Sequence, residues 1–334
     1  MVGGFAATQL LVTAARLSIA DHMTAGHRDV ESLATAIGAA PDSLRRFMRM
    51  LVVLGLLRQI GSARFSLTAM GEFLRADHPR SMRPRLLYIG EVNYPTAQAS
   101  VHAVMTGEKA FDKVFGLPLF EFLDSRPDLS ATFSGLMSES VHARAEGICK
   151  AYDFAGASLI VDVGGGEGTL LKAVLRAAPG AEGVVFDRPT VADAQDRQST
   201  DDANPALRFV SGDMFERIEP AQADIYMLSN IIHDWDDAES ELILSKCRAA
   251  MRPDSRLLII EELLPSRIED APATIANDYS MLLLTGGHQR TRREFARLLK
   301  AAGLRLTTVV PVARANHGVQ RRENWMIMEC LPTR

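Results

Sequence analysis

The chain has 334 residues, 47% of them apolar and 23% charged, with a formal net charge of −4. That length accommodates two domains, and the composition is that of an ordinary soluble globular chain. The mild acidity excludes a global attraction to nucleic acid or anionic membrane, and no uncharged apolar run reaches the roughly 18 residues that a membrane span needs.

Residues 1–11 carry no basic leader region and no cleavage site, so a cytoplasmic location is expected. Cys149, Cys247 and Cys330 are widely spaced and odd in number. They offer neither a metal spacing nor a disulfide framework, so core packing is their expected role and no metal is expected. Residues 5–25 form an apolar helical stretch (Phe5, Leu10, Leu11, Ala15, Leu17, Ile19, Ala20) with too many apolar sides for a lone surface helix. A partner must cover it. From 29 to 75 the pattern is that of a winged helix. Asp29 caps a helix through Ile37, Gly38 ends it, and Asp42 or Ser43 caps the next, which carries Leu44, Phe47, Met48, Leu51 and Leu54. A β-hairpin follows over 56–60 and 63–67.

A DNA-binding module is the rival reading for this segment. Asp42 to Arg85 holds nine Arg against three acids, a local balance of +6, and Arg45, Arg46 and Arg49 lie on the helix that would enter a groove. The acidity of the whole chain and the enzyme-like domain that follows argue against it, so no nucleic-acid partner is expected. Helices are expected over 83–90, 97–106, 118–125 and 129–152. On the last, Phe133 and Met137 lie four apart, a spacing that serves a core or a ligand equally well.

From 153 to 334 strands and helices alternate, with strands near 159–163, 183–187, 207–211, 223–228 and 257–262, as in a parallel sheet covered on both faces. Segments 304–310 and 325–331 form a closing pair with the last strand antiparallel. A polar turn over 312–324, carrying Arg314, His317, Arg321 and Arg322, joins them. The first strand runs through Asp162 into Gly164-Gly165-Gly166-Glu167-Gly168 and then a helix from Thr169. This strand, glycine turn and helix bring bare backbone and a helix N-terminus to a ligand. The spacing departs from the G-x-G-x-x-G dinucleotide fingerprint, and Asp162 and Glu167 flank the turn. A cationic ligand without phosphate, such as S-adenosylmethionine, suits such a loop better than a pyrophosphate. Asp187 ends the second strand about 20 residues on, where an acid can accept ribose hydroxyls. Gly212 and Asp213 follow the third, placed to accept from an adenine amine, with Met214 and Phe215 to cover the ring. Open α/β sheets bind ligands along this carboxyl edge.

With Asn230-Ile231-Ile232-His233-Asp234-Trp235-Asp236-Asp237 after the fourth strand, residues 159–262 resemble the caffeic-acid-type small-molecule O-methyltransferases. Their bacterial branch tailors polyketides and phenazines, and the likeness extends over nearly the whole chain. It implies an α/β fold: a doubly wound, mostly parallel Rossmann-like sheet behind an all-helical, winged-helix dimerisation domain. The expected division is 1–106 for dimerisation, 107–152 as a helical linker contributing to the substrate pocket, and 153–334 as the catalytic domain. The resemblance implies a homodimer, S-adenosylmethionine as cofactor, S-adenosylhomocysteine as product, and a small aromatic acceptor.

It also assigns roles. His233 is the candidate general base. Glu261 matches the first of two acids that flank the histidine in the family. The second falls in Gly286-Gly287-His288-Gln289-Arg290-Thr291, where neutral Gln289 replaces a carboxylate; Asp278 could compensate or contact the acceptor. Met137, Asp162, Gly164, Gly166, Asp187, Gly212, Asp213, Met214, Ser229, Asn230 and Trp235 are expected around the cofactor. Tyr94, Phe133, Asp234, Asp278, Met281 and Leu282 are expected around the acceptor, with Ala97 where the family often carries a tryptophan. Asp236 and Asp237 read as N-terminal charges of the helix that follows. A phenol of pKa about 10 facing a histidine near 6.5 leaves a gap of roughly 5 kcal/mol, so proton removal should be coupled to methyl transfer. Two alternatives stay open: N-methylation of a heteroaromatic ring, and hydroxylation or decarboxylation without methyl transfer. The acceptor itself is not legible.

Overall fold

The computed structural model describes residues 3–61, 63–198, 206–313 and 324–333. The chain divides into two compact units, Met1–Gln98 and Ala99–Arg334.

In the first unit the apolar stretch over 5–25 is two helices, Gly4–Arg16 and Ile19–Thr24, broken where Ser18 turns left-handed at φ 49°. The break lets Ala14, Ala15, Ile19, Ala20 and Met23 converge with Val30, Leu33 and Leu51 on one core. Helix Val30–Ile37 starts as expected, Asp29 accepting from the Ser32 amide at 2.9 Å, and ends at Gly38 with φ 69°. The next helix departs from expectation. It is Pro41–Val53 with Ala40 at the cap position, so neither Asp42 nor Ser43 caps it. Proline at the first position has no N–H to satisfy and a φ already set for a helix, so the helix starts at 41 and takes Asp42 and Ser43 into its first turn. Strands β1 (Leu57–Ile60) and β2 (Arg64–Leu67) pair antiparallel as the wing. The helix expected over 83–90 runs Arg83–Tyr88, passes through a π turn at Ile89–Asn93 and continues as Tyr94–Gln98. Gly90 sits on that turn against Val12, where an added Cβ would lie 2.3 Å from Cγ1.

The second unit opens with helices Ser100–Thr106, Ala110–Phe115, Leu119–Asp124 and the long Pro127–Ala151. Strands β3 (Leu159–Val163), β4 (Glu182–Asp187), β5 (Leu207–Ser211), β6 (Ile225–Ser229), β7 (Arg256–Glu262), β8 (Leu304–Pro311) and β9 (Trp325–Pro332) form one sheet in the order β5-β4-β3-β6-β7-β9-β8. The first five are parallel, and β9 runs antiparallel to both neighbours. The turn with Arg314, His317, Arg321 and Arg322 lies outside the described residues.

Alternation sends Val161, Val163, Val184, Phe186, Tyr226, Leu228 and Ile259 into one apolar layer. Ile160, Val185, Met227, Leu258 and Ile260 enter the other. Each such side chain contributes roughly 1.5–3 kcal/mol on full burial. Asp162 shares the face of Ile160 and is the polar exception, paired in register with Val185 and Met227 and 1% exposed. The strand order reverses between β3 and β6, which opens a crevice at their carboxyl ends. Among the described residues no helix is long and apolar enough to cross a membrane.

Candidate active site

Beyond β3 the chain turns through Gly164 at φ 70° and Gly166 at φ 56° before helix Thr169–Ala177. A side chain at Gly164 would lie 2.4 Å from Ile231 Cδ1, whereas Gly166 faces open space. The first glycine therefore permits close packing and the second leaves bare backbone at the surface of the turn. Asp187, at the end of β4, reaches across to this turn. Its Oδ2 accepts from the Gly166 amide at 2.8 Å and its Oδ1 from the Arg188 amide at 2.7 Å. Burial raises its pKa, against the pull of those two donors. Gly212, after β5, lies under the Phe186 ring, 2.5 Å from where its Cβ would be. Asp213 Oδ1 accepts from the Phe215 amide at 2.8 Å, which shapes the next turn.

These strand ends border a groove lined by Phe133, Ser134, Met137, Ser138, Asp162, Gly165, Gly166, Thr169, Arg188 and Ser229, with Val141, Glu167, Leu170 and Val191 completing it. Asp162 is its chemical peculiarity. Oδ1 is buried with no hydrogen-bond partner, and Gly165 lies so close above that a Cβ there would fall 2.7 Å from Oδ2. Burial, then the nearby Asp187 charge, push this carboxyl up to about 8. A buried acid with no protein donor on Oδ1, under a residue with no side chain, has an acceptor open to a donor from outside. Arg188, the one basic residue of the groove, is engaged elsewhere: it pairs with Asp124, donates to Phe120 O at 3.3 Å and covers the Phe120 ring. Among the described residues the lining therefore offers no unengaged basic side chain. A wider hollow of about 610 Å³ lies elsewhere, lined by Arg208, Arg217, Glu219 and Lys246 among others, and contains none of these strand-end residues.

An aromatic wall adjoins the groove. Trp235 packs edge-on to Phe215 at 4.8 Å and tilted on Phe120 at 5.6 Å, and Phe120 meets Phe133 at 6.5 Å. Met214 packs beside Trp235 against the same apolar layer.

After β6, Asn230 takes φ 59° and the chain forms a short turn, Ile232–Asp234, carrying His233. Glu261, on β7 and fully buried, holds that turn by its amides. Oε1 accepts from Ile231 and Ile232 at 3.0 Å and from His233 at 3.4 Å. Oε2 lies 2.7 Å from His233 Nδ1, an ion-pair contact in which the ring N–H is not aligned on the oxygen. Gln289 Nε2 is 3.4 Å from the same Nδ1, with roles set by the tautomer, and the Gln289 amide donates to Asp278 Oδ1 at 2.7 Å. Asp278 thus positions Gln289. Nε2 of His233 has Asp234 Oδ1 at 3.7 Å. Burial alone would depress the imidazole pKa; Glu261, Asp234 and Glu262 outweigh it and push it up to about 9. Burial also raises Asp234, to about 6, against the opposing pull of His233.

The next loop presses on this turn from the other side. A Cβ on Gly287 would lie 2.1 Å from His233 O and 2.6 Å from Trp235 N. Backbone, not a flexible side chain, would have to move. Gly287→Ala is expected to lower stability by about 1–3 kcal/mol and turnover roughly tenfold. Thermal melts and steady-state rates read both, and unchanged values in both would show that the contact does not hold the histidine.

Of the expected site residues, the groove gathers Met137, Asp162, Gly166, Ser229 and Phe133. Gly164, Asp187, Gly212, Asp213, Asn230 and Trp235 stand at the strand ends around it. His233, Glu261 and Gln289 form one buried cluster, with Asp234 and Asp278 attached. Met281 is buried on helix Pro272–Leu284, and Leu282 packs toward Ala103 and Ala110. Tyr94 belongs to the first unit, where it opens the helix Tyr94–Gln98. Sequence reading missed Ser138, which hydrogen-bonds Thr169, and Arg188 and Arg290. The run Asp187-Arg188 and the segment Gly286–Thr291 carried the signal for the two arginines; Ser138 had none.

The chain matches the family model of the O-methyltransferase domain over 98–305 and that of the O-methyltransferase dimerisation domain over 1–77. It is 38% identical to O-demethylpuromycin-O-methyltransferase of Streptomyces alboniger, over 92% of this chain and 83% of that one. It is 36% identical to phenazine O-methyltransferase PhzM of Lysobacter antibioticus, over 96% and 94%. It superimposes with a TM-score of 0.86, at 34% identity over 98% of this chain and 96% of the other, on the O-methyltransferase NcsB1 from neocarzinostatin biosynthesis, solved with S-adenosylmethionine and 2-hydroxy-5-methyl naphthoic acid.

Proposed function

The chain belongs to the O-methyltransferase family, and from that membership we propose how its residues carry a methyl group from S-adenosylmethionine to a hydroxyl of a small aromatic natural product. The observation that carries this reading is one arrangement: a buried acid with an unpartnered oxygen in a groove that, among the described residues, has no unengaged basic side chain, on the same sheet edge as a histidine paired with Glu261.

The cofactor fits the residues present. Asp162 offers an unpaired acceptor to a cationic amino-acid head group, and Gly165 and Gly166 leave room above it. Gly164, Asp187, Gly212, Asp213, Met214, Ser229, Asn230, Trp235 and Met137 would complete the holding surface. When bound, the cofactor supplies an electrophilic methyl on sulfur and a neutral thioether as leaving group. The protein's tasks are to align the acceptor, exclude water and take its proton. His233 takes the proton, Glu261 orients it, and Gln289 supports the ring without adding a second charge. Phe133, Asp234, Met281, Leu282 and Tyr94 are proposed around the acceptor, and Asp278 acts through Gln289.

The raised basicity changes the energetics. An imidazole raised above its ordinary value meets a smaller gap to a phenol than the roughly 5 kcal/mol that an ordinary histidine faces, and it does so only in its neutral form. Residues 1–106 are proposed as the dimerisation domain of a cytoplasmic homodimer, 107–152 as a linker contributing to the pocket, and 153–334 as the catalytic domain. The dimerisation match and the exposed Phe5 on the first helix support the dimer.

The test is incubation with S-adenosylmethionine and a panel of aromatic hydroxy compounds. S-adenosylhomocysteine should form in step with an aryl methyl ether. S-adenosylhomocysteine formed with the methyl on a ring nitrogen, or an acceptor altered without being methylated, would overturn the O-transfer reading.

A further inference from the structure

We infer that Arg290 is a positioning residue for methyl transfer: it holds the His233 turn by its carbonyls while Glu261 holds it by its amides. The inference rests on His233 as the base. Arg290 is fully buried and heads the largest buried side chains among the described residues. Its three guanidinium nitrogens are all used. Nη1 donates to Ile232 O at 2.9 Å, Nη2 to Trp235 O at 2.9 Å, and Nε to Asp237 Oδ1 at 2.9 Å. The two carbonyls bracket His233 and Asp234. Ser240, also fully buried, donates to the same two carbonyls at 3.3 Å each.

Both halves of this clamp come from one frame. Glu261 is on β7, and Arg290 bridges Leu263 just beyond it, with the Leu264 amide donating to Arg290 O at 3.0 Å. The peptide unit that leads into His233 is therefore held at both poles, its amide by Glu261 and its carbonyl by Arg290, and the Trp235 carbonyl ties down the far end of the turn. This fixes where the imidazole starts and keeps Nδ1 against Glu261. A planar fork with separated donors can span two carbonyls and a carboxylate at once; a lysine ammonium is a single point and cannot.

A residue that only held the fold would, when altered, lower the melting temperature and nothing else. A positioning residue must also change the chemistry in the folded enzyme. Arg290→Lys is expected to lower kcat roughly 30-fold, with the KM for S-adenosylmethionine within about threefold of wild type. The ascending limb of its pH–rate profile should move down toward 6.5, because a loosened turn draws the imidazole away from Glu261. Ser240→Ala removes one donor from the same carbonyls without removing a buried charge. It should lower kcat about threefold with the same direction of limb shift, and it decides the matter if Arg290→Lys does not fold. Folded variants that melt lower but keep kcat and the limb within about twofold would overturn the assignment. If His233→Ala also leaves kcat unchanged, the base reading fails instead; a fall with His233→Ala alone sinks only the clamp.

Discussion

Replacing His233 with alanine is expected to lower kcat by about 10²- to 10⁴-fold while S-adenosylmethionine affinity stays within about threefold of wild type. The expectation follows from position. His233 is in the turn after β6, paired with Glu261 at 2.7 Å, and is not among the groove residues around Asp162. Loss of the imidazole removes the proton acceptor and leaves the groove intact. The pH dependence should carry the same signature. The base works only when neutral, so kcat/KM should rise with pH across a window above 6.5, toward the value of about 9 set by Glu261, Asp234 and Glu262 against burial. Stability moves the opposite way. Because the folded pKa is raised, protonation stabilises the fold in full below 6.5, and that contribution is lost as pH rises through about 9. The melting-temperature gap between wild type and His233→Ala should therefore be widest near pH 6 and shrink above it. An ascending limb at or below 6.5, or a turnover unchanged by the substitution, would remove His233 from the chemistry.

What could be read from the sequence follows from how each residue acts. Buried parallel strands are near-continuous apolar runs, and the residues just past them stand at the ligand edge. So β3 to β7 and the positions Gly164, Asp187, Gly212, Asp213 and Asn230 were legible one segment at a time. The His-Asp-Trp run was legible because its signal lies in the side chains themselves. Arg290 and Gly287 were not, because they act on backbone. Arg290 stands in the Gly286–Thr291 segment with no role until its donors are seen on Ile232 O and Trp235 O, and Gly287 reads as a turn until the contact with His233 O is seen. The break at Ser18 escaped because local pattern favours one continuous helix and the packing of Ile19 decides otherwise; the π turn at Ile89–Asn93, which carries the helix expected over 83–90 on to Gln98, goes with the close approach of Gly90 to Val12. The cap misplaced at Asp42 or Ser43 shows a different limit. A proline at the first helical position starts the helix before the acid, so the cap pointed two or three residues too far along.

Asp162→Asn should separate binding from stability, with opposite signs. The amide keeps the shape of the acid but gives up its charge. A charged hydrogen bond is worth about 1.5–3 kcal/mol, so affinity for S-adenosylmethionine is expected to fall roughly 10- to 100-fold. The empty enzyme should gain. Asp162 lies 1% exposed on the central strand, and burial followed by the Asp187 charge pushes its pKa up to about 8. A carboxyl raised in the fold favours folding fully only below its unfolded value of 3.8, and that advantage is lost as pH rises toward about 8. Asparagine does not titrate and avoids this loss. The melting temperature of the variant should therefore pull ahead of wild type progressively between pH 5 and about 8 and then hold a constant lead. Saturating S-adenosylmethionine should narrow that lead, since it stabilises wild type more. Calorimetric titration and thermal melts across pH read the two effects separately. Wild-type affinity in the variant would show that the unpaired oxygen is not the cofactor's acceptor, and a lead that does not vary with pH would show that the buried acid carries no proton in the empty groove.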